Sequence, residues 1–167
     1  SGKTTLIKSI VGLLRPDEGE IKIDGHLPGI HSKAVTAYLP DLDYLPKWMK
    51  VKDAVEFFQE FYDDFDIDKS ERLLNFMKLN KNQKVSEYSK GMIEKLQLAL
   101  VLARNAKLYI LDEPIAGVDP VSREKILDSI VEFYNEDSSM IITTHLVTDI
   151  ERVFDDVAFI KDGEIIL

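Results

Sequence analysis

The sequence predicts an α/β protein in which a mostly parallel sheet is flanked by helices and carries an inserted all-helical segment. Three observations lead there. Strand-like and helix-like runs alternate after residue 104, the pattern of strands joined by helical crossovers. Strand-like runs vanish between residues 41 and 104, where three amphipathic stretches follow one another. The chain has 167 residues, 45 % of them hydrophobic, which is the size and apolar content of one domain with a sizeable core. Repeats, low-complexity tracts and linkers are absent. The expected division is a core of residues 1–40 and 105–167 with a helical subdomain of residues 41–104 inserted in it.

The elements follow in order. Leu6, Ile7, Ile10, Leu13 and Leu14 recur at helical spacing over residues 4–14, and Arg15-Pro16-Asp17-Glu18-Gly19 supplies a stop and a turn. A short strand is predicted over residues 20–24 before Gly25, and another over residues 35–39, ended by Pro40. The three amphipathic helices are expected over residues 51–62, 70–79 and 91–103. A strand over residues 107–111 leads to a helix over residues 120–135, with Asp119 as N-cap and Pro120 at the first helical position. A strand over residues 139–143, a helix over 146–154 and a strand over 157–161 complete the reading.

Composition narrows the function. With 21 basic against 30 acidic residues the formal net charge is −9, so no nucleic-acid partner is expected. The chain has no cysteine, which removes disulfide frameworks and thiolate metal sites and fits a reducing compartment. No apolar run approaches the roughly 20 residues of a membrane-spanning helix. Ser1-Gly2-Lys3-Thr4-Thr5 offers no initiator Met and no signal-peptide organisation, and the chain reads as truncated at its N-terminus.

Gly2-Lys3-Thr4 at the mouth of a helix has the form of the end of a phosphate-binding P-loop. There backbone N–H groups surround phosphates, the Lys ammonium reaches the β and γ oxygens, and the hydroxyl ligates Mg²⁺. Ser1 and Thr5 flank it as further phosphate contacts. Leu108-Tyr109-Ile110-Leu111-Asp112-Glu113 is an apolar strand ending in two carboxylates, which a Mg-nucleotide site requires beside such a loop: Asp112 for the Mg²⁺ shell, through water, and Glu113 as general base. Taken alone, each segment also describes an ordinary helix start or a buried strand with a polar end. Together they point to ATP and Mg²⁺ on a P-loop NTPase core.

Tyr88-Ser89-Lys90-Gly91-Met92 lies between them, and here the chain resembles the ABC ATPase family, the nucleotide-binding domains of ABC transporters, with Ser89 and Gly91 at the Ser and Gly of that family's signature. The resemblance continues through Ala116-Gly117-Val118-Asp119, at the position of the D-loop, and His145, at the position of the switch histidine. It covers essentially the whole chain, with five motifs in one order, and implies truncation within the phosphate-binding loop. Asp41 stands where the family usually has a Gln and could hold water or Mg²⁺, while Lys90 and Met92 replace the usual Gly and Gln of the signature. The resemblance implies an ATPase whose Glu113 and His145 carry hydrolysis, with Ser89 and Gly91 acting in trans on ATP held by a second ATPase subunit packed head to tail. It also implies separate transmembrane permease subunits and a peripheral place on the cytoplasmic face of the plasma membrane. The Tyr38-Leu39-Pro40-Asp41 loop is similar to those of bacterial exporter-type systems. The runner-up function is a soluble ABC-type ATPase acting on ribosomes or DNA, disfavoured because no second cassette or long coiled coil is present.

Other features weigh less. Asp64, Asp66 and Asp68 alternate like a calcium loop, but Lys69 and Asn75 stand where Gly and Glu are needed. Lys47-Trp48-Met49-Lys50 is expected beside the groove for a transmembrane partner. His26 and His31 match no family site and are expected in loops.

Overall fold

The computed structural model of the protein describes residues 2–150 and 153–166. Three strands, β1 (Thr36–Leu39), β2 (Leu108–Asp112) and β3 (Ser139–Thr143), pair in parallel in the order β1-β2-β3. The middle strand is partnered on both edges: Leu108 lies beside Thr36 and Ser139, and Asp112 beside Thr143. Its apolar sequence suits a strand with neighbours on every side. Tyr109 and Leu111 join the main core, whereas Ile110 between them alternates to the other face, where α1 (Lys3–Ile10) packs and buries Ile7.

The short α2 (Ile30–Ala34) rests against β1. Then come α3 (Val51–Phe61), α4 (Ile67–Phe76) and α5 (Lys90–Leu102), the last two starting at side-chain caps: Asp66 accepts from the Lys69 amide at 2.9 Å and Ser89 from the Met92 amide at 3.3 Å. A single turn of 3₁₀ helix (Val85–Glu87) precedes α5. Residues 96–103 of α5 and its C-terminus are all buried, as expected of a helix that is apolar all round and passes through a core. The polar member of that run, Gln97, donates to the Leu42 carbonyl at 3.2 Å. One contiguous cluster runs from Ala37 and Leu39 of β1 through Phe58, Leu73 and Leu100 to Ile126 and Ile130 of α6 (Pro120–Phe133), so these helices share their interior with the sheet. After β3 come α7 (Val147–Ile150), β4 (Phe159–Lys161) and β5 (Glu164–Ile166). Among the described residues no helix is long and apolar enough to cross a membrane.

Several expectations are corrected. Residues 20–24 form no strand: Ile23 makes an isolated bridge to His26, because Asp24 and Gly25, at φ 53° and 77°, turn the chain back at once. His31 lies in α2 rather than in a loop. β4 is not part of the three-stranded sheet; it pairs antiparallel with β5 across Asp162-Gly163, both at positive φ, the twist-matched hairpin turn. The helix expected over residues 146–154 is seen as α7, and residues 151 and 152 lie outside the described ones.

Arg104, 3 % exposed, joins the end of α5 to the sheet. Its guanidinium donates to the carbonyls of Thr36 (2.7 Å) and Ala34 (2.8 Å), pairs with both oxygens of Asp64 (2.8 and 3.0 Å), and lies 3.9 Å from the Tyr62 ring centroid. Removing one partner of such a pair strands the others, so Arg104→Met is expected to cost about 3 kcal/mol or more in urea unfolding. Arg104→Lys should recover little, because an ammonium has no planar fork to span four acceptors.

Candidate functional site

The parallel register brings the C-terminal ends of β2 and β3 side by side, and the candidate residues gather there. Asp112 is the last residue of β2 and is 2 % exposed. The Thr143 hydroxyl donates to its Oδ1 and accepts from the Glu113 amide at 3.3 Å, which also donates to the Thr143 carbonyl at 2.9 Å. This threonine was not singled out in the sequence; the signal for it is its place directly opposite Asp112 once both strands are aligned.

Glu113 leaves the strand at φ 51°, a left-handed conformation uncommon for a residue with a side chain. Its carboxylate then meets two nitrogens: Oε1 lies 3.4 Å from the Lys3 ammonium and Oε2 3.0 Å from His145 Nδ1. Lys3 opens α1 immediately after Gly2, at φ 98°, and also donates to the Thr144 carbonyl at 3.1 Å. His145 is well exposed, so an incoming group can reach it from solvent. Thr4 and Thr5 occupy the exposed first turn of α1. Ser1 lies outside the described residues.

On the β1 side a cavity of about 270 Å³ is bounded by Asp41, Asp43, Lys90, Glu94, Asp112, Glu113 and Gly117, so the structure brings Asp41 and the paired carboxylates to one space. A Cβ at Gly117 would meet the Glu94 carboxylate and the end of the Lys90 side chain, both of which would have to shift to make room. Burial pushes the Glu94 carboxyl up, against the pull of Lys90, and Asp43 and Asp41 push it further. Ser89 and Gly91 sit at the exposed start of α5, and Gly91 faces Val118. Asp119 is exposed and caps α6 through the Ser122 amide at 3.0 Å; the Ser122 hydroxyl first, and that amide with it, hold its carboxyl below the ordinary value.

The donor set fits a triphosphate and its metal. Lys3 is a partly exposed cation at a helix start, the exposed Thr4 offers a hydroxyl, and Asp112 and Asp41 supply the hard oxygen donors that Mg²⁺ takes beside phosphates and water.

Comparison with known proteins bears on the family. The ABC transporter family profile matches residues 1–116. The ABC transporter ATP-binding protein YtrB of Bacillus subtilis is 32 % identical over 168 residues, 99 % of this chain and 58 % of YtrB. SkfE, the SkfA peptide export ATP-binding protein of Bacillus subtilis, is 30 % identical over 171 residues, 99 % of this chain and 72 % of SkfE. The solved structure of an ATP-binding subunit of an ABC transporter superimposes with a TM-score of 0.86 at 26 % identity, covering 98 % of this chain and 72 % of that one. The chain thus spans a little over half of YtrB.

Two outcomes test the site's construction. Thr143→Val leaves an Asp112 oxygen buried without its donor and is expected to cost about 1–3 kcal/mol in denaturant unfolding, with Thr143→Ser near wild type. The folded protein holds the Glu94 proton more tightly than the unfolded chain does, so this group's stabilising contribution is complete below its ordinary value of 4.5 and is lost as pH rises through the raised folded value. Glu94→Gln should therefore gain in Tm relative to wild type as pH rises from about 4.5 to the raised folded value and level off above it, and a difference independent of pH across that window would contradict the assignment.

Proposed function

The chain belongs to the ABC transporter family, and on that premise we propose that it forms the ATP-binding and ATP-hydrolysing part of a subunit that couples ATP-driven dimerisation to transport by separate transmembrane subunits. The observation that carries the proposal is the convergence of Lys3, Asp112, Glu113 and His145 at the C-terminal ends of β2 and β3. Ligands of parallel α/β sheets bind at that end of the strands.

In this reading Ser1, Gly2, Lys3, Thr4 and Thr5 surround the phosphates. Bound Mg²⁺ supplies neutralising charge for the β and γ oxygens. Thr4 offers it a hydroxyl and Asp112 holds it through water, its carboxylate turned by Thr143; Asp41 stands as a further acceptor on the β1 side. Lys3 leaves Glu113 for phosphate, which frees Glu113 Oε1 to accept a proton from the attacking water. His145 keeps Glu113 oriented through Oε2 and presents its other ring nitrogen to the γ-phosphate. Ser89 and Gly91 of a second ATPase subunit, packed head to tail, cover that phosphate from the far side, with Asp119 at the seam. Closing and opening of the pair moves residues 41–104, read as the ABC-type helical subdomain, against permease subunits at the cytoplasmic face of the plasma membrane.

ATP turnover by the full-length protein tests this. Glu113→Gln is expected to lower kcat by roughly 10²–10⁴-fold, and light scattering should reveal a dimer that forms with ATP and persists in the variant. Turnover indifferent to Glu113, or no ATP-linked dimer, would sink the mechanism.

A further inference from the structure

At the opposite end of β2, about 13 Å away along the strand by the four rises between Asp112 and Leu108, lies a second group of metal-binding side chains. Asp24, His26 and His31 each offer a ligand atom within 4.8 Å of the others, the one such triad among the described residues. It is built by the corrected part of the fold: the turn at Asp24 and Gly25 brings His26 back beside Asp24, and α2 carries His31 to the same place.

Three details of the geometry suit a cation. His26 Nδ1 lies 2.7 Å from the Asp24 carbonyl, so it donates there and leaves Nε2 with its lone pair free. A ring N–H anchored on a carbonyl is the arrangement that orients metal-ligating histidines. His31 Nε2 lies 3.0 Å from Asp24 Oδ2, close to the edge of about 3.3 Å of a tetrahedron with bonds of about 2.0 Å. The two imidazoles are already gathered, with ring centroids 3.9 Å apart, so little side-chain freedom is left to lose on binding.

We propose that Asp24, His26 and His31 bind a divalent d-block cation of the Zn²⁺ class, with water completing the coordination, at a site separate from the candidate nucleotide site. The imidazole-rich donor set selects such ions over Mg²⁺ or Ca²⁺. Lys107, whose ammonium sits 2.9 Å from Asp24 Oδ2, is the resting counter-charge that the cation displaces. Binding then clasps the 24–31 segment into one unit at the N-terminal end of β2.

The test is a titration of the nucleotide-free, full-length protein without a polyhistidine tag, using Co²⁺ for its visible absorption when bound and Zn²⁺ as competitor. Expected are one Co²⁺ per chain, displacement by Zn²⁺, and affinity lowered by about tenfold or more in His26→Ala and in His31→Ala, since even the partners of ligands are worth 10–100-fold. His145→Ala should bind Co²⁺ as wild type does, and Lys107→Met should bind it more tightly. No Co²⁺ spectrum, a spectrum that survives both His26→Ala and His31→Ala, or one that disappears with His145→Ala would each overturn the site.

Discussion

Everything in this molecule is arranged around the pairing of β2 on both edges. A strand of five residues with parallel neighbours on each side has its N–H and C=O groups taken up by the ladder, so its polar ends alone can address solvent or a ligand. Parallel pairing also ends the neighbouring strands on the same side of the sheet. The consequence is a single edge at which Leu39, Glu113 and Thr144 all emerge, followed by the loops that carry Asp41, Gly117 and His145. Reversing any one of these strands would send its loop to the opposite edge.

At that edge the charges are balanced within the chain itself. Glu113 touches a lysine on one oxygen and a histidine on the other, and Asp112 is turned by a hydroxyl from the adjacent strand. A lysine held by a carboxylate is pre-positioned rather than free to wander, and a phosphate arriving beside it replaces one anion by another instead of collecting a cation out of water. The cost of organising the site is thus met during folding. Arg104 does the same for the scaffold: it satisfies the carbonyls of Ala34, at the end of α2, and Thr36, at the start of β1, together with the Asp64 carboxylate, and thereby holds the end of α5 against β1.

Much of this was legible in the residues. The 139–143 strand is found at its predicted bounds, the 107–111 strand is found one residue along as Leu108–Asp112, and Asp119-Pro120 marked the start of α6, because buried apolar runs and caps are local signals. Short elements were harder. Residues 20–24 read as a strand, but Asp24 and Gly25 reverse the chain and leave Ile23 only an isolated bridge to His26, a fact of pairing that composition does not carry. The hairpin at Asp162-Gly163 was readable from its turn dipeptide and was missed because alternation suggested a further parallel strand. For the site, residue types with a fixed chemistry stood out, as Lys3, Asp112 and Glu113 did. Thr143 did not, since a threonine in a strand acquires its role from the residue opposite, and that opposition exists only once the register is known.

The left-handed backbone at Glu113 has a wider consequence. Glycine or asparagine would occupy that φ with less strain, so the carboxylate that the chemistry asks for is not the residue that the fold would choose. Stability and turnover therefore select in opposite directions at one position. A lineage that kept this domain as a scaffold but no longer needed it to work would be expected to drift there first, toward a more comfortable residue, while the strand leading up to it stayed as it is.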